Sequence, residues 1–84
     1  MTYNRNAKRK VLTITGTGCY GEKAQQERQE TFDKVKNFLE LLKVDFTSDY
    51  VDYQTMQFVL NIDDYEYVLI LQCLRLSDIY FEFE

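Results

Sequence analysis

Met56-Gln57-Phe58-Val59-Leu60-Asn61-Ile62-Asp63-Asp64-Tyr65-Glu66-Tyr67-Val68-Leu69-Ile70-Leu71-Gln72-Cys73 is the stretch whose reading decides the fold. From Met56 to Ile62 the even positions are large and apolar, the period-two signature of a strand with one buried face. Beyond Asp63-Asp64 the favoured parity becomes odd, with Tyr67, Leu69, Leu71 and Cys73. A switch of parity across two turn-tolerant residues predicts a β-hairpin, with Leu60 opposite Tyr67, Phe58 opposite Leu69 and Met56 opposite Leu71. Its second face would carry Gln57, Val59, Val68, Ile70, Gln72 and Leu74. That face is too apolar for ordinary solvation, so Val59, Val68, Ile70 and Leu74 are a candidate dimer face.

Outward from the hairpin, Glu22 to Val44 reads as one long helix. Phe32, Val35, Leu39, Leu42 and Phe46 recur at steps of three or four, and Phe38 and Leu41 widen the stripe. Its first turns, Glu22 to Glu30, are polar apart from Ala24 and are expected to project past the sheet. Before the helix, Lys10 to Thr15 reads as a strand ending at Gly16. Tyr50 to Tyr53 either begins the second strand or stands alone, with a one-residue slip near Gln54-Thr55 that a bulge would supply. After a three-residue loop at Leu76-Ser77-Asp78, Ile79 to Phe83 is a last strand that keeps Ile79, Phe81 and Phe83 on the helix side. The sum is an α+β fold, β-α-β-β-β, a mainly antiparallel four-stranded sheet with one long helix on one face. Residues 1–9 are read as a flexible basic arm and 10–84 as a single domain.

Composition removes several functions. The 84 residues contain no histidine, which takes away the commonest general base, metal ligand and near-neutral switch together. Two cysteines, Cys19 and Cys73, are too few for a disulfide framework or a zinc site. No apolar run approaches the roughly 18 residues needed to span a bilayer. The basic N-terminus has no apolar segment of a secretory signal, so the expectation is a soluble cytoplasmic protein, in the host cytoplasm if viral.

The net charge of −4 is unevenly distributed. Arg5, Lys8, Arg9 and Lys10 make residues 1–10 basic, and the helical stretch is balanced. From Asp45 onward nine carboxylates (Asp45, Asp49, Asp52, Asp63, Asp64, Glu66, Asp78, Glu82, Glu84) stand against Arg75 alone. Negative charge therefore collects on the C-terminal half.

Three motifs invite chemistry. Gly16-Thr17-Gly18-Cys19-Tyr20-Gly21 fits G-x-G-x-x-G between a strand and a helix, so Gly16, Gly18 and Gly21 are candidate anion- or nucleotide-binding positions, with Asp45 cast as a ribose acid. The chain is too short for a dinucleotide fold, and a glycine-rich turn explains the same residues. Cys19 near a helix N-terminus lacks the arginine six residues on that a phosphatase-type loop requires, since Gln25 stands there. The pairs Asp49/Asp52 and Asp63/Asp64 lack the spacing of a calcium loop and suit turns. No cofactor, no metal and no catalytic residue is expected.

There remain tyrosines among the acids. Asp49, Tyr50, Asp52, Tyr53, Asp63, Asp64, Tyr65, Glu66, Tyr80, Glu82 and Glu84 form the candidate partner-binding set, because tyrosine offers large contact area with a polar tip and carboxylates steer towards a basic cleft. The composition resembles that of small acidic proteins of phages and mobile elements that block host nucleic-acid enzymes, some by imitating DNA. That resemblance implies a non-enzymatic inhibitor, of the anti-CRISPR kind, occupying the nucleic-acid-binding site of a host protein such as a defence nuclease. The alternatives are a homodimeric module, paired through the apolar face above or the edge strand Tyr80 to Glu84, and nucleotide or phosphate binding at Gly16 to Gly21. Direct contact with nucleic acid is expected only weakly, through residues 1–10.

Overall fold

The computed structural model describes residues 7–84; residues 1–6 of the expected arm lie outside them. The element order is β1 (Lys8–Thr15), α1 (Glu22–Leu41), β2 (Asp45–Asp52), β3 (Thr55–Ile62), α2 (Asp64–Leu76) and β4 (Phe81–Phe83). The four strands form one antiparallel sheet in the order β2-β3-β1-β4. The fold is α+β, with a long helix and a short one, in the split β-α-β arrangement called ferredoxin-like. β1 opens at Lys8, so Lys8 and Arg9, assigned to the arm by sequence, pair with Ile62 and Asn61 of β3.

The principal correction concerns Asp64 to Leu76, a helix and not the second arm of a hairpin. Between Tyr67 and Cys73 every residue except Gln72 is apolar, so any period fits and parity cannot arbitrate. What decides the conformation is the start. Asp63 accepts a hydrogen bond from the Glu66 amide at 2.8 Å, and Glu66 returns one from the Asp63 amide at 3.0 Å. This reciprocal capping box satisfies two donors that would otherwise be orphaned, and Asp63-Asp64 is a helix entry, not a turn.

With that segment withdrawn from the sheet, its partners change. β3 lies between β1 and β2, pairing Leu12 with Phe58 on one side and Phe46 with Leu60 on the other. The second strand is a full eight residues from Asp45, and the one-residue slip falls between Tyr50 and Asp52, a little before the expected place. β4 pairs with β1, Ile14 with Phe81 and Leu12 with Phe83. Both phenylalanines still face the helices, as their parity predicts.

One face of the sheet is sealed. Leu12 and Ile14 of β1 and Met56, Phe58, Leu60 and Ile62 of β3 are buried against Phe32, Val35 and Leu39 of α1 and Ile70 and Leu74 of α2. Each large side chain removed from water contributes about 1.5–3 kcal/mol, which is what holds two helices to one sheet. α1 stops at Leu41, short of the predicted Val44. Lys43 turns left-handed (φ 57) and the Val44 amide donates back to Leu39 O at 3.1 Å. α2 closes in the same way, with Asp78 at φ 57 and the Ile79 amide on Leu74 O. Both closures have the Schellman pattern, with a charged or polar residue where glycine is preferred.

Candidate functional site

The Gly16–Gly21 loop is built around an arginine. Position 28 lies four residues before Phe32 on the buried stripe of α1, and Arg28 is only 8% exposed. Its Nη1 donates to the carbonyls of Thr17 (3.0 Å) and Cys19 (2.7 Å), and its guanidinium lies 5.1 Å from the centre of the Tyr53 ring. The first turns of α1, expected to stand in water, are thus tied to the loop. Gly16 is required because a Cβ there would lie 2.8 Å from Arg28 Cγ, and Gly21 because its φ is 109°. A phosphate-binding loop aims amide hydrogens inward. This loop aims carbonyl oxygens inward and already holds its own cation. Asp45, proposed as the ribose acid, sits at the other end of β2, paired with Asn61.

Around this loop a set of tyrosines is fixed. Tyr20 stacks on Tyr53 with ring centres 5.4 Å apart, and the Tyr53 hydroxyl donates to Gly18 O at 3.1 Å. The phenol of Tyr53 is held above its ordinary value, first by hydrogen bonding to Tyr20, then by lost solvent and neighbouring charge, while Arg28 opposes the rise. Tyr50 meets Phe32 edge to face at 5.8 Å and donates from its hydroxyl to Gln29 Oε1 at 3.2 Å. Between these rings lies an open groove of about 800 Å³ that Glu22, Gln25, Arg28 and Asp52 also line. Asp49, although exposed and adjacent to Tyr50 in sequence, pairs with Gln57 and points to the uncovered face of the sheet, away from the groove. Tyr20, which composition did not single out, is 84% exposed and is brought to the group by the glycine loop.

The expected partner-binding residues do not form a single patch. Tyr50, Asp52 and Tyr53 gather at the groove end, while Asp49, paired with Gln57, faces the uncovered side of the sheet. Tyr80 is at the same end but on the far side of the loop, where its carbonyl accepts from the Thr15 amide. Asp63, Asp64, Tyr65 and Glu66 follow Ile62 at the opposite end of β3, about 20 Å away at roughly 3.3 Å per residue. Asp63 and Glu66 serve the cap of α2, and Asp52 accepts from the Gln54 amide in the β2–β3 turn. Glu82 is on the uncovered face of the sheet opposite Thr13, and the backbone of Glu84 pairs with Val11.

The proposed dimer face is likewise divided. Ile70 and Leu74 are in the core, Val59 lies on the uncovered sheet face, and Val68 points out from α2. Helical period replaces strand period there, so residues two apart no longer share a side. The uncovered face presents Val11, Thr13, Thr15, Thr55, Gln57, Val59 and Asn61 from the two central strands. It has no ring among the described residues of those strands, so the stacking platform by which some four-stranded sheets hold RNA bases has no counterpart there.

Among the described residues no group of three or more histidine, cysteine or acidic side chains is placed to hold a metal ion. Cys19 is exposed in the loop, and Cys73 lies half-buried on α2 rather than in a strand. No helix among the described residues is long and apolar enough to cross a membrane. The chain matches no protein-family model, and searches against curated proteins and against solved structures found no significant match. Its strand arrangement hosts many unrelated activities, so the fold alone implies none of them.

Proposed function

We propose that this chain is a non-enzymatic binding protein that docks a basic surface of another protein through the groove end. The observation that carries this reading is the trio Tyr20, Tyr50 and Tyr53, held by stacking and hydrogen bonds beside the carboxylates of Glu22 and Asp52. Rings held in place before contact lose little entropy on binding, which favours them as anchors. Carboxylates at the rim steer approach and select against acidic partners. A protein whose basic cleft receives nucleic acid is the class of partner this surface fits, and occupying that cleft would make the chain its inhibitor.

The test is affinity capture from the native host, followed by binding measured from low salt to about 1 M, where the screening length falls to roughly 3 Å. Nucleic acid should compete with the chain. Tyr20→Ala and Glu22→Lys should each weaken binding about tenfold or more, while Asp64→Asn at the far end should not. A complex indifferent to salt and to both groove substitutions sinks the proposal.

A further inference from the structure

α2 carries apolar side chains on its outer side as well as on the side that packs on the sheet. Nine of its 13 residues are apolar or aromatic, and while Ile70 and Leu74 are buried, Tyr65 is 76%, Val68 51% and Leu76 84% exposed. These three fall with Gln72 on one outward stripe at helical spacing. Large apolar side chains clustered on one exposed stripe ordinarily mark a contact surface. Next to the stripe, between the two helices, runs a mainly apolar groove of about 240 Å³ into which Leu76 and Phe38 face.

The charges say what covers it. Asp64 stands at the start of the stripe and Arg75 at its end, with only the neutral Gln72 between. Reversed end for end, the stripe is its own complement: Asp64 meets Arg75 at both ends, Tyr65 lies near the same guanidinium, and Val68 falls against Gln72. Opposed helix dipoles add to this. Parallel pairing would set Asp64 on Asp64. We infer that α2 is a homodimer interface, in which it packs antiparallel on α2 of a second copy across a twofold axis. The contact is isologous, as most small homodimers are, and involves none of the groove-end tyrosines. A pair of helices about 20 Å long is a small interface, so the dimer is a weak one.

Sedimentation of the full chain from about 10 μM to about 1 mM, a range suited to a contact of that size, tests this. The wild type should pass from monomer to dimer. Val68→Glu, at an exposed position, should remain monomeric with unchanged circular dichroism. Asp64→Lys and Arg75→Glu should each weaken self-association about tenfold or more, while an equimolar mixture of the two should recover it, since each supplies the charge the other needs. A wild type monomeric over the whole range, a dimer unaffected by Val68→Glu, or a mixture no stronger than its components overturns the inference. None of these outcomes bears on the groove-end reading, which the Tyr20 and Glu22 substitutions address.

Discussion

Gly16 and Arg28 should be coupled, and the coupling can be sized from the structure. A Cβ on Gly16 would stand 2.8 Å from Arg28 Cγ and 3.4 Å from its Cβ and Cδ. Carbon atoms are comfortable at about 3.5–4.0 Å, so the clash is with the inner stem of the arginine, which cannot swing aside without releasing two carbonyls. Gly16→Ala alone would lower unfolded-state entropy, a gain of roughly 0.4–1 kcal/mol, against an overpacking cost of about 1–3 kcal/mol, giving a net loss of about 1–2 kcal/mol. Arg28→Ala removes charge-assisted bonds to Thr17 O and Cys19 O and should cost about 3 kcal/mol. In that background the obstructing Cγ is gone, so Gly16→Ala becomes neutral or slightly stabilising. The double-mutant cycle therefore predicts a coupling of about 2 kcal/mol, with the double variant more stable than the sum of its parts. Urea unfolding of the four proteins, followed by circular dichroism, reads it directly. Additivity within about 0.5 kcal/mol would falsify the claim that the loop is wrapped on Arg28.

Two further outcomes follow from the helix ends. Asp63→Ala removes the acceptor for the Glu66 amide and should cost about 1 kcal/mol in denaturant midpoint analysis, whereas Asp63→Ser should recover most of it; equal stability of Ala and Ser variants would contradict the cap. Lys43→Gly and Asp78→Gly relieve left-handed backbone at φ 57 and should each stabilise by roughly 0.5–1 kcal/mol, or several degrees in Tm; a loss at both positions would show that those side chains hold the turns.

The parts of the fold legible in sequence are those with one dominant period. Phe32, Val35 and Leu39 could only be the buried side of a helix, and Met56 to Ile62 only a half-buried strand. Asp64 to Leu76 was illegible by period because nearly every residue is apolar. Its length and the Asp63-x-x-Glu66 cap were the available signals, since a strand rarely runs so far without a turn residue. At the site, Tyr50, Asp52 and Tyr53 are neighbours in sequence and lie together, whereas strand alternation sends Asp49 to the other face of the sheet. Tyr20 and Glu22 join them only through the glycine loop, a contact of more than 30 residues' separation that no local pattern encodes. Arg28 was hidden by its charge, although its place four residues before Phe32 marked it as facing inward.

That buried arginine also bears on why the groove end remains anionic. A guanidinium taken almost wholly out of water must be solvated by the protein, and a carboxylate is the usual means. Here its hydrogen bonds go to two loop carbonyls and its face to the ring of Tyr53, although Glu22 and Asp52 border the same groove. Carbonyl dipoles and a π face satisfy the cation without neutralising either acid. Had Arg28 taken Asp52 or Glu22 as partner, the rim would have lost charge in proportion. The glycines that let the loop close on Arg28 thereby have two effects at once: they bring Tyr20 onto Tyr53, and they leave Glu22 and Asp52 unneutralised by the buried guanidinium beside them.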